Sequence, residues 1–379
     1  MIEHPLYDTI VIGGGLAGLA LAIQLAQQGH RVALFEKEIY PFHKVCGEYL
    51  SLESWDFIEG LGLPLHSLNL PIIKKLLVSS PNGNTLEQDL PLGGFGISRY
   101  RLDNALKNIA VALGVSVFEN CKVQDVIFKS EQFDVHTAHG VFTSKTCAGS
   151  FGKLSNLDVK WNRSFLHKKN KKLTNYIGVK YHIKIAGQAD TIALHNFKNG
   201  YCGISKIDND TFCLCYLTNA ANLNLHHNSI GEMEKNILYQ NPFLKQIFET
   251  GTMLFKKPVI ISQVSFAKKV QVQNHILLCG DAAGMITPLC GNGMSMALHS
   301  SKIAASAIND FLHKKITRQQ LENNYVSKWQ QTFGKRLIVG RVIQQLFGKN
   351  WATNCFIRCM NMLPYLTKQL IKQTHGKPF

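Results

Sequence analysis

The sequence predicts an α/β protein with an inserted, mixed or antiparallel β-sheet region and a helical C-terminal stretch. Three observations predict it. A strand, glycine turn, helix and second strand run from Asp8 to Glu36. Strand patterns dominate residues 159 to 265. A second strand–turn–helix unit then begins near Asn274 and returns to the character of the first.

Asp8 to Ile12 alternates and then stays apolar, as a buried parallel strand does. The turn reads Gly13-x-Gly15-x-x-Gly18, with Ala22 one helical turn later. Gly13 permits a sharp turn, and Gly15 lets the backbone approach a pyrophosphate with no Cβ in the way. Gly18 and Ala22 keep the helix close to the sheet. Amides opening the helix around Leu16 and Ala17 aim partial positive charge at a diphosphate. Gly29 ends the helix, and Arg31 to Phe35 forms the second strand. Glu36, followed by Lys37, closes the unit with a carboxylate able to accept from the 2′- and 3′-hydroxyls of a ribose. Strand, helix and acid all fall where the mechanism needs them, which lifts the glycine pattern above a chance turn. It predicts a dinucleotide without choosing between FAD and NAD.

A chain of 379 residues with 45% hydrophobic content has room for two or three domains and a large core. Residues 9 to 26 are apolar enough to imitate a signal peptide, but Glu3 and Asp8 replace the basic leader and the glycine turn breaks the run, so secretion is not expected. No apolar stretch of about 18 residues is available to span a bilayer. The ten cysteines include no CxxC pair, and several sit in apolar strand-like runs. This predicts a reduced, cytoplasmic compartment and no metal site. The net charge of +16 is the unusual bulk property. Its basic residues are scattered, and the densest run, His167 to Lys172, reads as a solvated loop, so nucleic acid is not an expected partner. An anionic membrane face or an acidic substrate stays open.

After Glu36, Pro41 and Gly47 mark a loop, and Ser51 is expected to begin a helix with Glu53 in its first turn. The run Lys44-Val45-Cys46-Gly47-Glu48, following a dinucleotide unit, resembles the geranylgeranyl reductase-like branch of the FAD-dependent aromatic hydroxylase superfamily, in which this segment passes close to the flavin ring. Ile73 to Ser79 and the Pro81-Asn82-Gly83 turn read as strands leaving the first domain. Arg99, Leu102-Asp103 and Leu106 then resemble the family's R-x-x-[FL]-D-x-x-L element. There the arginine contacts the ribityl or pyrophosphate part of the cofactor. Strands follow at VQDVIF, QFDVHT and VFTSKT. Cys147 to Lys153 lacks the Asp-Gly pair that hydroxylases of the superfamily carry at this point, so the reductase-like members are the nearer match.

Between residues 159 and 265, strands are expected at Ile177–Ile183, Thr191–His195, Tyr201–Ser205 and Thr211–Leu217, with one strong helix at Ser229–Tyr239. The resemblance implies that this inserted sheet covers the flavin and forms the substrate pocket, with a diverged wall at Gly200-Tyr201. His182, His195 and His299 are acid–base candidates that spacing alone does not rank. Trp161-Asn162-Arg163 does not reproduce the W-x-W-x-I-P element of halogenase relatives, and halogenation is set aside.

Ile276 to Cys279 reads as a buried strand ended by Gly280-Asp281. Pro288, Cys290 and the Gly291-Asn292-Gly293 turn lead through Met294 into a helix of about five turns. An aspartate there can hydrogen-bond a ribityl hydroxyl, and the helix start aims amides at the flavin edge that gains negative charge on reduction. The element resembles the family's G-D-A-A-G … P … G-x-G signature. With the first glycine turn it selects FAD over NAD. Position 284 is glycine, as in the reductase-like branch, where hydroxylases carry histidine.

From Thr317 the chain reads as helical. Val326, Trp329, Phe333 and Leu337 form a packing stripe. The tail, with Ile357, Met360, Met362, Leu363, Leu366 and Leu370 among Arg358, Lys368 and Lys372, is basic and amphipathic: a packing helix first, with peripheral membrane contact or the cover of a greasy substrate tunnel as alternatives. The resemblance implies a Rossmann-like FAD-binding domain (1–68, 98–158 and 266–315), a substrate domain (69–97 and 159–265) and a C-terminal helical region (316–379). It further implies non-covalent FAD, NAD(P)H or a reductase as electron donor, and a hydrophobic small-molecule substrate. The reaction is C=C reduction or hydroxylation through a flavin hydroperoxide. Cys46 and Cys290 are weak catalytic candidates. A flavin-binding sensor or assembly protein is the alternative of a different class.

Overall fold

A computed structural model describes residues 6–167, 175–287, 289, 291–346, 350–363, 365, 367, 369 and 376–379. Lys168–Lys172 of the basic run, together with Pro288 and Cys290, lie outside the described residues.

The first sheet is centred on Tyr7–Ile12, which lies parallel to Val32–Phe35 on one side and to Gly140–Gly149 on the other. Ser116–Phe118 and Ile276–Leu278 extend it outward, both parallel to their neighbours. Ile10 pairs with Ala33 and with Cys147, which covers both edges, and Ile10 and Val11 on opposite faces are both fully buried. That explains why its residues read as a continuous apolar run rather than an alternating one. The antiparallel hairpin Val123–Lys129 and Gln132–Thr137 hooks onto Gly140–Gly149. The helix Leu16–Gln27 is buried along most of its length because the helices Arg99–Ala112 and Gly293–Leu312 pack against it.

The second sheet runs in the order Thr252–Met253, Tyr176–Lys184, Phe212–Asn219, Gly200–Lys206, Thr191–Phe197, Ile72–Ser79, Thr85–Gly96, Tyr49–Ser51, with Val259–Val264 also on Tyr176–Lys184. Its pairs are antiparallel except for Thr191–Phe197 with Ile72–Ser79, which makes it mixed. One face carries Ile177, Val179 and Tyr181 against Met233, Ile237 and Leu244. On the other face Val78, Leu194, Tyr201, Leu217 and Phe266 meet Met285 and Leu289 from the second glycine element.

Four local expectations change. Ser51 caps a 3₁₀ turn, Leu52–Ser54, by accepting from the Glu53 amide, and the helix proper begins at Trp55. Tyr49–Ser51 pairs with Thr85–Gly96, so this part of the first segment belongs to the second sheet. A helix the sequence reading did not include spans Pro242–Thr250, capped by Asn241 with proline at its first turn. In the helix Arg318–Leu346 Phe333 and Trp329 are buried as the stripe requires, but Tyr325 takes the buried place expected of Val326, its hydroxyl donating to the Leu278 carbonyl at 2.5 Å. A further helix spans Asn350–Met362. Among the described residues no helix is long and apolar enough to cross a membrane.

Candidate functional site

The first glycine turn is defined by what its missing side chains allow. Gly13 has φ +99°, and a Cβ there would stand 2.7 Å from the Ser150 carbonyl oxygen. A Cβ on Gly18 would meet the Gly13 carbonyl oxygen at 2.0 Å, so the helix rides directly on the turn. Gly15 differs. The space in front of it is open, with Arg99 Nη2 and Lys44 Nζ 3.8 and 3.9 Å from where its Cβ would be. No side chain caps the helix start at Gly15, and Leu16 and Ala17 are buried in its first turn. Its free amides and two cations therefore face one gap.

Those cations share one counterion. Arg99 binds Asp103 through both oxygens at 2.7 Å, and Lys44 reaches the same carboxylate at 3.1 Å. Burial would raise the Asp103 pKa, but Arg99 and Lys44 outweigh it and hold it low. Burial would likewise lower Arg99, and Asp103 with the Cys46 sulfur keeps it raised. Two cations against one carboxylate leave net positive charge beside Gly15. Glu36 is buried and accepts from the amides of Gly14 at 2.8 Å and Glu38 at 3.1 Å, which fixes its carboxylate at the strand end. Lys37 lies at the exposed rim, 3.5 Å from Glu38.

The second glycine element meets the first. Gly280 has φ +60°, its amide donates to Ser300 Oγ at 2.9 Å, and a Cβ there would stand 3.2 Å from that of Ala17. Buried cations hold this turn from below. Arg163, paired with Asp158 at 2.6 Å, donates to the Ala282 carbonyl, and Lys269 donates to that of Asp281 at 2.9 Å. Burial pushes Lys269 down to about 8. Gly284, read from sequence only as a branch marker, has a local reason: a Cβ would come within 2.8 Å of the Trp329 ring. Gly291 has φ +64° against the Tyr49 ring. Asn292 and Met294 are buried, and the helix Gly293–Leu312 starts with no side-chain cap.

The feature that sequence reading missed is the junction beneath Lys44–Glu48. Glu48 is fully buried at φ +56°. Its Oε1 accepts from Lys180 Nζ at 2.5 Å and from the Arg99 amide at 2.6 Å, and its Oε2 sits 2.6 Å from His182 Nε2. Burial pushes Glu48 up, but His182 and Lys180 outweigh it and its pKa is lowered. The Cys213 thiol donates to the Cys46 carbonyl and Ser205 to that of Gly47, both at 3.2 Å. Thus one sheet fastens the loop that borders the other. Glu48, His182 and Cys213 place ligand-type atoms within 4.8 Å of one another. The Lys180 ammonium already compensates that carboxylate. A lysine and a histidine two apart in the apolar strand YIGVKYHIK were the available signal. The other two histidines lie elsewhere: His195 pairs with Ser79 at 2.8 Å, and His299 stacks on Phe379.

Two parallel-sheet glycine corners touching at Ala17, with an anion-seeking gap beside one of them, fit an extended flavin dinucleotide. Comparisons with known proteins agree. Residues 8–41 match the FAD binding domain family. Geranylgeranyl diphosphate reductase of a Synechocystis species is 23% identical, covering 90% of this chain and 86% of that protein. Conditioned medium factor receptor 1 of Dictyostelium discoideum is 22% identical over 88% of this chain and 69% of that protein. The flavin-dependent brominase Bmp2 shares the fold, with TM-score 0.79 at 20% identity over 98% of this chain and 93% of that one. The class defined is an FAD-dependent oxidoreductase. Within it, the chain is similar to geranylgeranyl reductases along most of its length, at 23% identity for the Synechocystis protein.

Proposed function

We propose that the chain reduces a carbon–carbon double bond of a hydrophobic, isoprenoid-type molecule, with electrons from NAD(P)H or a reductase. One observation carries this reading. The apolar face of the second sheet converges on Met285 and Leu289, within nine residues of Gly280-Asp281, so a greasy chain finds its wall beside the cofactor element. FAD, when bound, supplies hydride chemistry. The protein's part is to bind and orient. Gly13–Gly18 and the amides at Leu16 and Ala17 receive the pyrophosphate, with Lys44 and Arg99 beside it. Glu36 takes the ribose hydroxyls, Asp281 a ribityl hydroxyl, and the Gly291–Met294 helix start the electron-rich edge of the ring. The Glu48 junction keeps the Cys46 loop in place. A cytoplasmic location agrees with the free thiols found at the described cysteines.

Hydroxylation is the second reading, because the reductase-like branch that the chain resembles also includes oxygenases. Anaerobic incubation of the holoenzyme with NAD(P)H and a polyprenyl substrate separates the two. A product heavier by two hydrogens supports reduction. Turnover that needs air and adds one oxygen replaces it with hydroxylation.

A further inference from the structure

The helix Asn350–Met362 is apolar on two opposite faces. Inward, Ile357 joins the apolar cluster under the second sheet, with Phe356 and Met360 packed against it. Asn354 and Asn361 tie the helix to the strand pair at Asn84 and Thr85. Outward, Trp351, Cys355, Arg358 and Met362 fall at spacings of four, three and four, which puts them on one stripe. Trp351 is 75% exposed and Met362 80%, and Tyr365 follows at 72%. The preceding helix exposes Ile338 and Val342 one turn apart.

Charge identifies what such a stripe meets. From Asn323 to Phe379 the sequence holds nine lysines and arginines and no aspartate or glutamate, so this stretch supplies more than half of the +16. Large apolar and aromatic side chains set among cations and free of acids match the interface of an anionic bilayer. There indole and phenol rings sit at headgroup level and cations meet lipid phosphates.

We propose that the outer stripe of the helix Asn350–Met362 docks on an anionic lipid surface, with Trp351 and Met362 as its apolar anchors and Arg358 between them. The inner face of the same helix covers the apolar cluster that ends at Met285 and Leu289. Docking would bring that cluster within one helix diameter of the lipid, a short route for a water-insoluble substrate. The docking itself does not depend on which reaction the enzyme performs.

The test uses the flavin-loaded full chain and vesicles of phosphatidylcholine with phosphatidylglycerol, roughly two to one. Cosedimentation is expected with these vesicles, with much weaker binding to phosphatidylcholine alone and progressive release by salt. Brominated lipid should quench tryptophan emission in the wild type, and Trp351→Ser should abolish that quenching. The double variant W351S/M362S should bind at least about tenfold less while retaining its flavin absorbance and melting temperature. Absence of binding by the wild type would overturn the proposal, as would equal binding to neutral vesicles or undiminished binding by the double variant. So would a concentration-dependent dimer that the double variant abolishes, since a second copy would then cover the stripe.

Discussion

At Gly13–Gly18 the chain approaches itself because side chains are missing. At Glu48 it does so because side chains are present and charged. In the first region a Cβ on Gly18 would stand 2.0 Å from a backbone oxygen. In the second, Glu48 and Lys180, 132 residues apart, meet at 2.5 Å with neither exposed. Both regions border the gap beside Gly15, and Arg99 belongs to both, through its guanidinium above and its amide below. The difference concerns tolerance. A steric cradle fails when anything is added, whereas an ionic junction fails when one partner is removed and recovers when both are.

The largest expected effect tests that asymmetry. Glu48→Gln leaves Lys180 charged in a buried site, and urea unfolding should show a loss of about 3–5 kcal/mol. Adding Lys180→Met should restore stability to within about 1–2 kcal/mol of wild type. A double variant no better than the single would mean that the pair is not one unit. Gly18→Ala is next, with an expected loss of about 3 kcal/mol from overpacking against backbone that has no room to move. No second substitution in the Glu48 cluster should rescue it.

A pH titration sharpens the contrast between the junction and the rest of its own sheet. Burial pushes His195 down to about 4 from 6.5. The unfolded chain therefore binds the extra proton between those values, and stability should fall as pH drops from 6.5 toward 4. The slope approaches about 1.4 kcal/mol per pH unit for this group. His43 and His299, also pushed down to about 4 with burial as the largest cause, add to it with the same sign. Glu48, held below its ordinary 4.5, contributes stability that is present above that pH and lost only as pH falls through its folded value. Urea midpoints measured across this range in wild type, His195→Gln and Glu48→Gln should separate the two windows. If His195→Gln leaves the slope between pH 6.5 and 4 unchanged, the assignment is wrong.

The smallest effect on stability belongs to Gly15→Ala. Its φ is −82° and its surroundings are open, so stability should change by less than about 1 kcal/mol. Flavin affinity, followed by fluorescence on dilution, should fall roughly tenfold, because the added methyl would stand in the gap proposed for the diphosphate.

The same contrast explains what the sequence disclosed. Gly13, Gly18, Gly280 and Gly291 announce themselves because each answers a local demand, a positive φ or a close approach, within a recognisable strand and helix. The strands of the second sheet were legible from apolar runs bounded by turns. The pairing of Tyr49–Ser51 was not, since three residues carry no period. Pro242–Thr250 had a signal in Asn241-Pro242, but its apolar stripe is short and only Leu244 is fully buried. Gly284 was legible as a family marker, while its cause, Trp329, lies 45 residues away on a helix whose packing partner no local rule supplies. Nothing in the local sequence marks Arg163 and Lys269 as buried. Only the tertiary fold puts the Ala282 and Asp281 carbonyls within their reach.

The order of strands in the first sheet also has a consequence during synthesis. Tyr7–Ile12 acquires Val32–Phe35 almost at once, but the far edge of the sheet waits for Ile276–Leu278. At ordinary ribosomal speed that interval lasts on the order of ten seconds to a minute. Throughout it the Gly280 corner that abuts Ala17 does not exist, so the first glycine turn stands without its neighbour. The second sheet, whose strands from Tyr49 to Val264 are all made within that interval, is complete first. The most recognisable motif in the chain is therefore the first to be made and among the last to be completed by its packing partners.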